Sequence, residues 1–324
     1  MILLGTEYVG PARYLIELSR HLNFQVKCVG NELTNQLFIE NGMQLSHNWK
    51  NCKPLAVITG TSLGNSLDKK IIQWAKTSGL QSISIIDHWS WYRKRFEFRG
   101  ELVLPDFIFV NDEIAYTDAV DEGLPSKKII IAGNPVLESI YTSNKYKLPD
   151  RERLRNQYNL PKKRIIFFIS EELASDFNGT DDELGYDEFI AINQIISLLK
   201  PSDHLVIKLH PEEVNEKYQK LKNEQLSIIK NIDIYSLNTL ADIVIGMASM
   251  LLLELAMLRN DIISFRPNAK KKFIGERLSA TIDVTSQEEL EGLMNFPKLI
   301  NGDFREKFNG SSEKISSLIN QIFE

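Results

Sequence analysis

A chain of 324 residues is too long for one average core and suits two domains of about 100 to 200 residues each. Hydrophobic residues at 43% and charged residues at 25% leave no room for a large disordered tail, and a net charge of -5 excludes the basic footprint that a nucleic-acid partner needs. The two cysteines, Cys28 and Cys52, form no CxxC and have no neighbouring histidine, which argues against a disulfide framework or structural zinc and fits a reducing, cytoplasmic setting.

In chain order, Met1-Ile2-Leu3-Leu4-Gly5 lacks the basic start and apolar length of a signal segment and reads as a first strand. Short apolar runs bounded by Gly, Asn, Asp or Pro then alternate with segments of helical period, the pattern of parallel strands joined by crossover helices. The first half predicts strands at 2–4, 24–29, 55–59, 82–86, 107–110 and 129–132, with helices at 11–22, 67–78 and 113–122. Thr142 to Asp150 is polar, loses this rhythm and is the expected linker. After it come strands at 164–169, 205–209, 227–229, 243–245, 262–265 and 281–284, and helices at 186–200, 249–259, 287–294 and 312–323.

The expected fold class is therefore α/β, with Rossmann-like domains over 1–145 and 151–305 and a C-terminal helix in 306–324 packing back on the first. No apolar run approaches the roughly 20 residues that span a bilayer, the best being Met247 to Leu258 with Ser249 and Glu254 inside it. No transmembrane segment is expected.

Ligands of open α/β sheets sit beyond the carboxyl ends of the strands, so the residues just after each strand are the candidates. After the first strand, Gly5-Thr6-Glu7-Tyr8-Val9-Gly10-Pro11 is a tight turn whose Gly10 lets a ligand approach a helix start, with Glu7 as a candidate base; it also reads as ordinary helix-start grammar. Asp87 and His88 follow another apolar strand and lead into an aromatic segment with three cations. A carboxylate can orient an imidazole and raise its basicity, so His88 and Asp87 are candidate catalytic groups, with Arg93 and Arg95 for an acidic or phosphorylated acceptor. The competing reading is an N-capping Asp87 before an amphipathic stretch.

In the second half, Ser170-Glu171-Glu172 and His210-Pro211-Glu212-Glu213 each deliver polar groups at a strand end, and the His210 imidazole suits a phosphate oxygen. Ala241 to Glu254 runs strand, small-residue turn and helix. Free amides at that helix start suit a phosphate, Ser249 adds a hydroxyl, and Glu254 reaches ribose hydroxyls if its face meets the ligand. Ser249 as a simple N-cap and Glu254 as a solvated helix residue is the alternative.

Across nearly the whole chain, the order of these motifs resembles glycosyltransferases and sugar-nucleotide epimerases of the GT-B fold. The resemblance rests on Gly133-Asn134-Pro135-Val136, on His210-Pro211, and on Gly246 to Glu254 followed by Ile262 to Pro267. It implies two Rossmann-like domains facing across a cleft, with His210, Ser249, Met250 and Glu254 on the donor side and the acceptor on the first domain. His210-Pro211 is also similar to the HP motif of bacterial sialyltransferases. The last segment resembles that of the non-hydrolysing UDP-N-acetylglucosamine 2-epimerases, with the Ser-Gly-Gly phosphate turn altered to Met247-Ala248-Ser249-Met250.

The expected function is a glycosyltransferase of surface polysaccharide synthesis. It would use a nucleotide-sugar as substrate and a glycan or lipid-linked acceptor, with no cofactor and no obligatory metal. An acceptor hydroxyl, deprotonated by His88, Asp87 or Glu7, would attack the anomeric carbon while His210, Glu171, Ser249, Met250 and Glu254 hold the donor. The alternatives are a UDP-sugar epimerase or hydrolase and a non-catalytic binding subunit of a polysaccharide assembly complex. Lys270-Lys271-Lys272 offers a weak membrane-surface contact or, as charge runs usually do, a solvated loop.

Overall fold

The computed structural model describes the chain except residues 65, 144–148, 178–183, 222, 270–271, 303 and 324. The chain forms two compact units, Met1–Ser139 with Lys307–Glu324, and Ile140–Glu306.

The first unit contains β1 (Ile2–Gly5), β2 (Val26–Val29), β3 (Ala56–Thr59), β4 (Gln81–Ile85), β5 (Glu97–Phe98), β6 (Glu101–Leu102), β7 (Phe107–Val110) and β8 (Ile129–Ile131). Six of these make one parallel sheet in the order β2-β1-β3-β4-β7-β8, and β5 with β6 form a small antiparallel hairpin. The hairpin turns on Arg99 and Gly100, both at positive φ, as a two-residue hairpin loop requires.

Both faces of the sheet are covered, which is why β1, β7 and β8 are short, nearly continuous apolar runs. Ile2, Leu4, Ile58, Ile83, Ile85 and Phe109 face one way, onto Tyr14, Leu15 and Leu18 of helix Val9–Ser19 and Ile315 and Ile319 of helix Ser311–Phe323. Leu3 and Val57 face the other way, onto Leu67, Ile71 and Ala75 of helix Leu67–Thr77.

The Gly133-Asn134 turn starts helix Pro135–Ser143 and anchors the last helix. Asn134 Oδ1 accepts the Val136 and Leu137 amides, and the Asn134 amide donates to Ser311 Oγ at 3.1 Å. Gly133 has a φ of 94°, its carbonyl accepts the Tyr14 hydroxyl at 2.7 Å, and an added Cβ would lie 2.4 Å from Ser311 Oγ. Glu138 accepts the Gly310 and Ser312 amides, so this carboxylate caps helix Ser311–Phe323 from outside. The expected linker overlaps helix Pro135–Ser143 at its start, and its residues 144–148 lie outside the described ones.

The second unit holds β9 (Arg164–Ile169), β10 (Asp203–Lys208), β11 (Leu226–Ile229), β12 (Ile243–Gly246), β13 (Ile262–Phe265) and β14 (Ile282–Val284), all parallel in the order β11-β10-β9-β12-β13-β14. This is the 3-2-1-4-5-6 order of doubly wound nucleotide-binding sheets, and it reverses between β9 and β12. In the first unit the corresponding reversal lies between β1 and β3. The α/β class and the two Rossmann-like units stand as the sequence predicts. Among the described residues no helix is long and apolar enough to cross a membrane.

Candidate functional site

In the first unit, polar groups gather where β1, β3 and β4 end. The Glu7 carboxylate accepts the Leu67 amide at 2.7 Å, capping the helix that follows the β3 loop. Ser66, at the N-cap position of that helix, makes no side-chain capping bond, so Glu7 supplies the cap from 60 residues away.

Gly10, exposed at the start of helix Val9–Ser19, lies against Asp87; an added Cβ would come within 2.7 Å of Asp87 Oδ2. A carboxylate at this helix start also meets the positive end of the helix dipole.

His88 turns to other partners. Its Nδ1 lies 2.9 Å from Ser90 Oγ, and burial together with the Arg95 charge pulls the imidazole down to about 3. The expectation that His88 gains basicity from its neighbour is therefore corrected: the ring is neutral at pH 7 and Ser90 orients it.

Arg95 is buried, donating from Nε to the Ser90 carbonyl at 2.9 Å and from a terminal nitrogen to the Thr61 carbonyl at 3.3 Å. It braces the loops after β3 and β4, which corrects its expected place on an acceptor surface. Arg93 does face outward, 3.6 Å from Glu97. Beside it Trp91 is 40% exposed, in the left-handed region at φ 59°, with Lys94 Nζ 4.4 Å over its ring.

Sequence reasoning missed the β3 loop. Lys69 is buried and folds back to donate to the Ser62 carbonyl at 2.5 Å, the Gly64 carbonyl at 2.7 Å and Ser66 Oγ at 3.2 Å. Burial pushes the adjacent Asp68 carboxyl up to about 6. The run Gly60-Thr61-Ser62-Leu63-Gly64 directly after a strand was the available signal.

In the second unit, the candidate residues sit on adjacent strand ends, with Glu171 and the Met247-Ala248 turn flanking the reversal between β9 and β12. Glu171 Oε2 accepts the Ala248 amide at 2.8 Å. Burial nevertheless pushes Glu171 up to about 7, because hydrogen bonding only partly offsets desolvation and the charges of Glu188 and Glu213 add to it.

The amides expected to be free for a phosphate are thus in part occupied by a carboxylate from the same chain. Ser249 is the N-cap of helix Met250–Ala256 and accepts the Leu251 amide at 3.2 Å, while Met250 opens that helix and Glu254 lies half-buried one turn along it.

On the other side of β9, His210 ends the β10 loop. Its amide donates to Glu213 Oε2 at 2.6 Å, and its Nδ1 accepts the Glu212 amide at 3.3 Å. The backbone-facing Nδ1 leaves Nε2 to point a hydrogen bond elsewhere.

Glu213, part of the polar loop after β10, is fully buried and also accepts from Ser170 Oγ at 2.6 Å and Lys217 Nζ at 2.5 Å. Of the expected basic run, Lys270 and Lys271 lie outside the described residues, and Lys272 pairs with Glu276.

No family model and no curated protein matches the sequence. Solved structures do. A UDP-GlcNAc 2-epimerase from Neisseria meningitidis bound to UDP-GlcNAc superposes with a TM-score of 0.69 at 14% identity, covering 99% of both chains. HepE of Anabaena in complex with UDP-glucose gives 0.62 at 12% identity, covering 100% of this chain and 95% of that one. The glycotransferase of kitacinnamycin gives 0.61 at 11% identity, covering 100% and 98%. The chain has the GT-B-like fold that these proteins share.

Proposed function

We propose that this chain, with its two Rossmann-like units of GT-B-like fold, is a metal-independent glycosyltransferase that takes a UDP-sugar in the second unit and a glycan or lipid-linked acceptor on the first, in surface polysaccharide synthesis. The observation that carries the reading is the set of polar groups at neighbouring strand ends, with His210 after β10, Glu171 after β9, and Ser249 and Glu254 at the start and in the first turns of the helix after β12. The UDP-sugars bound in two of the superposing structures support UDP as the leaving nucleotide. His210 would donate to the diphosphate and Glu254 accept from the ribose.

On the first unit, one of the carboxylates Glu7 and Asp87 would accept the proton of the attacking hydroxyl, because an imidazole held at about 3, that of His88, is a poor base. A bond then forms from the acceptor oxygen to the anomeric carbon. The bond from that carbon to the phosphate oxygen breaks, and UDP leaves with its electron pair. The outward loop of Trp91, Arg93 and Lys94 next to His88 favours an acceptor over a purely unimolecular reaction.

One observation favours a second reading, a UDP-sugar 2-epimerase-like isomerase. Glu7 and Asp68 both lie at the helix start after the β3 loop, and burial raises the Asp68 carboxyl to about 6.

The test is incubation with UDP-GlcNAc and UDP-glucose, with and without glycan acceptors and with EDTA present, followed by proton NMR. Release of UDP only when acceptor is present supports transfer. An altered or freed sugar without acceptor supports the isomerase or hydrolase. A thermal shift with UDP that vanishes in His210→Ala supports the donor site, and no shift with any nucleotide refutes it.

A further inference from the structure

Two candidate donor residues of the second unit, His210 and Glu171, are joined by one buried ionic cluster. Lys217 is its hub. Its Nζ lies 2.5 Å from Glu188 Oε1, 2.5 Å from Glu213 Oε1 and 3.0 Å from the carbonyl of Glu171. Glu188 and Glu213 are 1% and 0% exposed, and the Lys217 side chain is 13% exposed.

Each carboxylate uses its second oxygen on a backbone amide beyond a strand end. Glu213 Oε2 takes the His210 amide, and Glu188 Oε2 takes the Ala174 amide at 2.9 Å. Ser170, at the end of β9, bridges Glu213 and the Tyr218 hydroxyl at 2.6 Å each. Glu171 then carries the connection across the reversal to Ala248. The cluster therefore spans the ends of β10, β9 and β12.

Stability alone is a poor reason for it, because a buried ion group of this kind is commonly matched or bettered by apolar residues of the same shape. What it does achieve is geometric. The charge of Lys217 lies 5.5 Å from the Phe189 ring centre and 5.6 Å from that of Tyr218, so it is fixed from the aromatic side as well as by its carboxylates.

We infer that Lys217 is a positioning residue: through Glu213 and the Glu171 carbonyl it sets the spacing between His210 and the Met247-Ala248 turn, and so the fit of the second unit to the phosphates of a nucleotide. This rests on the reading that the second unit binds a UDP-sugar. Lys217 itself touches no ligand. Its effect is on phosphate groups, and the nucleoside moiety is held independently of it.

The experiment compares UDP with uridine. Dissociation constants for both are measured on the full chain by calorimetry and saturation-transfer NMR, for the unaltered protein, Lys217→Met and Lys217→Arg. Lys217→Met is expected to weaken UDP about tenfold or more, the loss of hydrogen bonds to charged groups, while uridine changes by less than about twofold. Lys217→Arg, which still reaches both carboxylates, recovers most of the UDP affinity.

Unchanged UDP affinity, or equal weakening of UDP and uridine, overturns the positioning role. Absence of UDP binding by the unaltered protein refutes the nucleotide reading and this inference with it. If Lys217→Met does not fold, Glu213→Gln, which keeps the side-chain shape, is measured in the same way. Failure of both to fold shows a purely structural cluster and overturns the proposal.

Discussion

Replacing Glu171 by Gln isolates the cost of placing a carboxylate at the β9/β12 reversal. Burial raises this group from its ordinary 4.5 to about 7, so between those values the folded chain binds a proton that the unfolded chain has released. Stability depends on pH with a slope set by protons bound in the unfolded minus the folded state, which is negative here. The favourable contribution is therefore complete below pH 4.5 and lost as pH rises through 7.

A shift of this size corresponds to about 3 kcal/mol at most. Glutamine has nearly the same shape, and its carbonyl oxygen can still accept the Ala248 amide. Urea unfolding of both proteins from pH 4.5 to 8.5 is the assay. Glu171→Gln should be close to the unaltered protein at pH 4.5 and more stable by up to about 3 kcal/mol at pH 8. A stability difference that stays constant across the range would refute the claim that Glu171 is held above its ordinary value.

Three further expectations follow from the first unit. With His88 pulled down to about 3, its ring proton signals should show no inflection between pH 5 and 8 by NMR; because the unfolded ring takes up a proton below 6.5, its contribution to stability falls as pH drops under that value. An inflection near 6.5 would return His88 to an ordinary solvated histidine. Gly133→Ala forces a methyl to within 2.4 Å of Ser311 Oγ at a φ of 94°, and should cost more than about 2 kcal/mol in chemical denaturation; a smaller loss would mean that the last helix is not anchored at this turn. Gly10→Ala places a methyl 2.7 Å from Asp87 Oδ2 on an exposed helix start, so stability should move by less than about 1 kcal/mol while turnover falls. Full turnover would remove Asp87 from the site.

Three of the helices beyond the sequence expectation show where local pattern runs out. Glu32–Glu40, Arg151–Gln157 and Ile234–Leu240 are short, and each is announced mainly by an N-cap, Asn31, Asp150 or Asp233, whose side chain accepts an amide of the first turn. Those residues also read as loop punctuation. Helix Gln287–Asn295 was legible because Ser286 and Glu289 form a capping box ahead of apolar positions.

The sequence by itself determined the two parallel sheets. A strand covered on both faces is mostly apolar, and runs such as Ile2-Leu3-Leu4 and Ile165-Ile166-Phe167-Phe168-Ile169 show that pattern. It also placed Glu7, Asp87, Glu171 and His210 at strand ends, since such ends follow from where the apolar runs stop.

Only the tertiary structure decided what those groups touch. Glu171 meets an amide 77 residues away, Glu7 one 60 residues away, and Lys217 a carboxylate 29 positions earlier in the chain. Such contacts are set by strand order, and the fields that hold His88 neutral and raise Glu171 come from burial and neighbours that the order brings in.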